Sequence, residues 1–101
     1  MKKPPAILHL NLRGEFFALI AAKTKRIEYR DRTNHWKTRL EGRTYDVIQF
    51  RNGYATKAPE MQVAFPGLKK VQRRGFPQYA IMLGRILSLK RWKTCPAIVA
   101  D

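Results

Sequence analysis

The stretch AAKTKRIEYRDR, Ala21 to Arg32, changes its period part-way along. Its first residues continue a helical pattern begun in GEFFALIAAK, where Phe16, Leu19 and Ile20 are spaced for one buried face. Its last residues alternate. Ile27 and Tyr29 fall to one side and Arg26, Glu28, Arg30 and Arg32 to the other, which is the period of a strand. Lys23, Lys25 and Arg26 lie at or past the helix end, where positive charge complements the helix dipole. One acid, Glu28, thus stands among cations at a helix-to-strand junction.

Upstream, ILHLNL (Ile7 to Leu12) alternates and reads as a first strand, with Asn11 a candidate N-cap and Glu15 adding negative charge to the first helical turn. Downstream, HWKTRLEG reads as a short helix carrying Trp36 and Leu40 and ended by Gly42. YDVIQF (Tyr45 to Phe50) is a third strand, and Asn52-Gly53 after it is a tight-turn signal. MQVAF (Met61 to Phe65) and LKKVQ (Leu68 to Gln72) read as one strand broken by Pro66-Gly67, and RRGFPQ as a loop. YAIMLGRILSL (Tyr79 to Leu89) is the last strand, with Gly84 a bulge or bend. The tail, residues 90–101, is basic and then apolar and takes no place in this pattern. The order predicts a single α+β domain over residues 1–101 with a mostly antiparallel sheet. So many short strands in so short a chain favour a small, curved, barrel-like sheet.

Composition narrows the partner. Twenty-one Lys and Arg oppose seven Asp and Glu, a formal net charge of +14. Such a charge favours a polyanion, nucleic acid first. An anionic membrane competes, but no basic amphipathic helix dominates. The lone cysteine, Cys95, has no partner for an internal disulfide, no activating constellation surrounds it, and no Cys/His cluster offers metal ligands. No cofactor is implied. Met1-Lys2-Lys3-Pro4-Pro5 opens like a signal peptide, but the apolar run after it is short and broken by His9, Asn11 and Arg13. With no stretch near the ~20 apolar residues of a membrane span, the expectation is a cytoplasmic protein.

KTKRIEYR, after a helix and entering a strand, resembles the signature of the ASCH domain family, a branch of the PUA-like small barrels. The motif reads roughly Gly-x-Lys-x-x-Glu-x-Arg. Lys25, Glu28 and Arg30 match it, and Lys23 replaces the glycine, so the helix is expected to end without the usual glycine conformation. HWKTRL resembles the family's Trp-containing helix, YDVIQFRNGY followed by Ala58-Pro59 a strand-and-loop segment, and YAIMLGRIL the closing strand. The likeness runs from about Leu8 to Leu89. It implies a PUA-like barrel with two or so short helices against it and a ligand cleft beside the signature. Members bind RNA or nucleotides. One branch removes the acetyl group from acetylated cytidine, with a lysine at the position of Lys25 but a threonine where this chain has Glu28. That branch also uses a later glutamate, for which Glu60 is the one acid between Asp46 and Asp101. Other members are ribonucleases.

The cluster of Lys25, Glu28 and Arg30 therefore has two readings. On spacing alone, Glu28 relieves repulsion on a solvent-facing strand, a role worth about 0–1 kcal/mol. On the resemblance, the three line a cleft. Lys25 is then a base or nucleophile, Glu28 its partner, and Arg30 a fork for phosphate or a surface for stacking. Asn52 and Tyr54 form one wall, with Tyr54 a stacking surface, unless they are a plain hairpin turn. Trp36, with Lys37 and Arg39, is either a second stacking and phosphate site or a core residue fixing its helix. His35 is a surface histidine and His9 a half-buried structural one. Lys69, Lys70, Arg73 and Arg74 form a basic run, and Lys90, Arg91 and Lys93 another. Each is either a solvated face or a track for a phosphate backbone. The leading expectation is an RNA- or nucleotide-binding module. The alternatives are a hydrolase of RNA or of a modified nucleoside centred on Lys25, and a protein-assembly role.

Overall fold

The computed structural model describes residues 4–92. Lys93, Cys95 and the rest of the tail, together with Met1, Lys2 and Lys3, lie outside the described residues. Along the chain run β1 (Ile7–Leu12), α1 (Gly14–Ala21), β2 (Ile27–Asp31), α2 (Asn34–Leu40), β3 (Val47–Asn52), β4 (Glu60–Ala64), β5 (Gly67–Arg73), β6 (Phe76–Met82) and β7 (Ile86–Lys90). The seven strands form two sheets, one ordered β1-β3-β4-β7 and the other β2-β6-β5. Every pairing is antiparallel except β1 with β3. The α+β, mostly antiparallel expectation stands. The two sheets do not close into a barrel; β1 and β2 each keep one unpaired edge.

Alternation puts the apolar residues between the sheets. Leu8, Leu10 and Leu12 of β1, Ile48 and Phe50 of β3, and Met61 and Val63 of β4 face Tyr79 and Ile81 of β6 in one core. In α1 the buried stripe is Phe17 and Ile20, with Phe17 against the Trp92 ring at 5.1 Å, while Phe16 and Leu19 are exposed. Both stripes satisfy helical spacing, so the pattern alone does not choose between them. Asn11 is not the N-cap. Arg13 holds that position without a side-chain cap, and Asn11 belongs to β1. The glycine-less helix end also differs from expectation, because Lys23 itself takes the left-handed conformation, φ 64°. Lys23 and Thr24 N–H then donate to the Ile20 and Leu19 carbonyls at 2.9 and 3.0 Å. A non-glycine residue bears about 1–2 kcal/mol of strain there.

Two stretches that the sequence reads as single strands each divide between the two sheets. MQVAF ends in β4 and LKKVQ lies in β5 of the other sheet, with Gly67 at φ 140° between them. YAIMLGRILSL divides into β6 and β7 at Gly84. The two crossings lie against each other. Gly84 N–H donates to the Ala64 carbonyl at 2.8 Å and Ala64 N–H to the Arg85 carbonyl at 2.9 Å. A Cβ on Gly84 would stand 2.9 Å from both the Cβ and the carbonyl oxygen of Ala64. RRGFPQ is likewise no loop. Arg74 and Gly75, at φ 53° and 81°, make a tight turn from β5 into β6. The Asn52-Gly53 signal opens a longer loop, since β4 resumes only at Glu60.

One polar network ties α2 to the second sheet. The fully buried Tyr79 hydroxyl donates to Glu41, just past α2, and Glu41 also pairs with Lys70 of β5 at 3.3 Å. The hydrogen bond from Tyr79, and Lys70 beside it, hold the Glu41 carboxyl below its ordinary value. Burial, then the bond to Glu41, pushes the Tyr79 phenol up to about 12. The native state therefore keeps the proton that the unfolded chain releases near pH 10. The stabilisation is complete below about pH 10 and is lost as pH rises through about 12. Tyrosinate absorbance should show one of the four tyrosines titrating near 12. Tyr79→Phe should remove that step and flatten the alkaline decline in stability.

Candidate functional site

The helix-to-strand junction of residues 21–32 carries two ion pairs that share Glu28. Glu28, in β2, is the one buried charged side chain among the described residues. Its face of β2 looks inward with Tyr79 and Ile81, so the solvent-facing reading of Glu28 is corrected: the second sheet leaves Ile27 and Tyr29 as the outer pair. Glu28 Oε1 lies 3.3 Å from Lys25 Nζ, and Oε2 lies 2.8 Å from an Arg30 terminal nitrogen and accepts from Arg30 Nε at 3.0 Å. Arg30 then donates to the Asn11 carbonyl of β1 at 3.2 Å and stacks 5.0 Å from the Trp36 ring. Its guanidinium therefore bridges the unpaired edges of the two sheets and is half-buried.

A second clamp shapes the opposite wall. Asn11 Nδ2 donates to the Gly53 carbonyl at 2.8 Å, and Asn11 Oδ1 accepts from Gly53 N–H at 3.3 Å. Gly53 has φ 95°, open to glycine without strain. The clamp fixes the start of the loop after β3, and Tyr54 projects from it, 88% exposed. Trp36 is placed by α2, whose first turn is capped by Thr33 Oγ1 accepting from Trp36 N–H at 3.4 Å.

Between these walls lies an open cleft of about 650 Å³. Arg13, Arg30 and Arg39 supply its charge, and His35, Trp36 and Tyr54 its flat surfaces. No Asp or Glu lines it among the described residues. A smaller depression of about 380 Å³ continues from it along β2 to Glu28 and Tyr29. Trp36 packs against the core on one side and lines the cleft on the other.

The site thus gathers Arg30, Trp36, Asn52 and Tyr54, as well as Arg39, with Glu28 beneath. Lys25 stands at the other end of its ion pair, near the Phe16 and Tyr29 rings, at 5.8 and 6.0 Å. The basic run is not part of the cleft. Lys70 is held by Glu41, the Arg73 guanidinium stacks 4.2 Å from Tyr29, and Lys69 and Arg74 are exposed. Glu60, on β4, is paired with Arg51 at 3.9 Å and Arg91 at 3.3 Å and shares no cavity with Lys25 or Glu28. The hydrolase alternative therefore rests on the resemblance alone. No group of three or more His, Cys, Asp or Glu able to hold a metal occurs among the described residues. No described helix is long and apolar enough to cross a membrane.

Sequence reasoning missed Arg13 and the roles of Asn11 and His9. His9 is exposed and lines the cleft instead of being half-buried. The available signal was the alternation of ILHLNL, which puts His9 and Asn11 on one face of β1. No protein-family profile, no curated protein and no solved structure matches the chain.

The two partners of Glu28 should respond differently to mutation. Glu28→Gln leaves the half-buried Arg30 charge unbalanced and should lower unfolding free energy by about 1–3 kcal/mol. Lys25→Ala removes the longer of the two ion pairs, 3.3 Å against 2.8 Å, and leaves Glu28 held by Arg30, so it should cost less, about 0.5–1.5 kcal/mol. Urea unfolding of the two variants beside the parent measures the difference.

Proposed function

We propose that this domain binds RNA, or a nucleotide, in the cleft between its two sheets. The observation that carries the reading is the lining: three arginines and two large aromatic rings around an open cavity with no acid among the described residues. Guanidinium groups fork onto phosphates, and aromatic faces stack on unpaired bases. The chain's net charge of +14 adds long-range attraction for such a ligand. The buried Glu28, by holding Arg30 in place, aims one of the three cations across the seam.

In this reading the protein is an ASCH-type module, and its two sheets are the halves of a PUA-like barrel parted along β1 and β2. Supporting it are the motif of Lys25, Glu28 and Arg30 at a helix-to-strand junction and the bridge that Arg30 makes over that seam. The single cysteine is consistent with a reducing, cytoplasmic setting.

Binding of a short single-stranded RNA, followed by fluorescence anisotropy over a salt series, tests the proposal. Three phosphate contacts predict a slope of log affinity on log salt of roughly −2, at about −0.7 per contact. Arg13→Ala combined with Arg39→Ala should flatten it to roughly −0.7. Neither arginine takes part in an ion pair among the described residues, so both should be removable without loss of the fold. Salt-independent binding, or an unchanged slope in the double variant, would contradict the reading.

A further inference from the structure

The cleft does not end at Tyr54. His9, Asn11 and Tyr54 also line a third depression of about 570 Å³, which lies over the outward face of the four-stranded sheet. The register explains its floor. His9 is opposite Gln49, Gln49 opposite Gln62, and Gln62 opposite Ser88, so one polar row crosses all four strands. The adjoining row is Asn11, Arg51, Glu60 and Lys90. In the first row Gln62 Nε2 donates to Gln49 Oε1 at 2.8 Å, which leaves each amide with further donors or acceptors to offer. In the second row the one acid is already held by Arg51 and Arg91.

Amide, hydroxyl and imidazole groups in a row suit base edges, and the flanking cations suit phosphates. With strands about 4.8 Å apart, four strands span roughly 14 Å. That is too long for a mononucleotide seated in the cleft and suits a chain continuing out of it. We infer that the occupant is a single-stranded oligonucleotide on the order of four nucleotides long, the low end for small sheet-based binders. It enters the arginine-lined cleft, passes Tyr54, and lays its next bases along the row from His9 to Ser88. This rests on the nucleic-acid reading of the cleft and specifies its ligand as a polymer.

The test is competition anisotropy at low salt with uridine monophosphate and oligouridylates of increasing length. Affinity should rise at least tenfold from the monomer to a length of about four and then level off. Gln49→Ala with Gln62→Ala removes both ends of one hydrogen bond together, so no amide is left facing a lost partner. This variant should lose most of the gain with length while binding the monomer as the parent does. A second variant, Ser88→Ala, alters the far end of the same row, away from the cleft, and should behave likewise. If the monomer binds as tightly as the tetramer, or if both variants keep the full gain, the extended track is wrong and the cleft reading survives. If neither monomer nor oligomer binds, both fall.

Discussion

The carboxylate of Glu28 is the constraint on which the rest of this structure turns. A buried charge is tolerated only when opposite charge and hydrogen bonds replace the water it has lost. Here Lys25 and Arg30 do so from the two sides, one oxygen each. The consequence reaches past the pair. Arg30, once fixed by Glu28, reaches the Asn11 carbonyl on the other sheet and lies over Trp36 of α2. Asn11 in turn clamps Gly53. A chain of polar contacts thus runs from the helix-to-strand junction to the loop that carries Tyr54. It spans the seam between β1 and β2, where the two sheets have no backbone pairing.

That arrangement separates the cations by role. Lys25, Lys70, Arg51 and Arg91 are paired with acids and lie outside the cleft, while Arg30 is paired with Glu28 and also lines it. Arg13 and Arg39 line the cleft and take part in no such pair among the described residues. With seven acids to twenty-one Lys and Arg, most of the positive field is uncompensated, and the cleft carries part of it. Flat rings beside those cations give the cleft a means of holding a base as well as a phosphate.

How much of this was legible in the sequence depended on range. The change of period at KTKRIEYR placed Lys25, Glu28 and Arg30 at a helix-to-strand junction, because both patterns are local. The same alternation could not say which face of β2 is inward, since that depends on where the second sheet lies. The four large apolar residues in GEFFALI offered two equivalent stripes, and packing under Trp92 selected Phe17 over Phe16. The switches of sheet at Gly67 and Gly84 fall inside stretches that each read as a single strand, because the chain stays largely extended through each crossing. The clamp between Asn11 and Gly53, 42 residues apart, and the parallel pairing of β1 with β3 depend on contacts that no local pattern encodes. Trp36 and Tyr54 could be named as stacking groups from their type and neighbours, but only the fold brings them to one cleft.

The most direct test of the central claim, that the seam between the sheets is the binding site, is a residue-by-residue map of amide chemical shifts by heteronuclear NMR as a short single-stranded RNA is added. The account predicts that the largest changes fall on residues 9–13, 30, 35–39 and 52–54. Changes confined to the basic strand β5, or none at all, would contradict it.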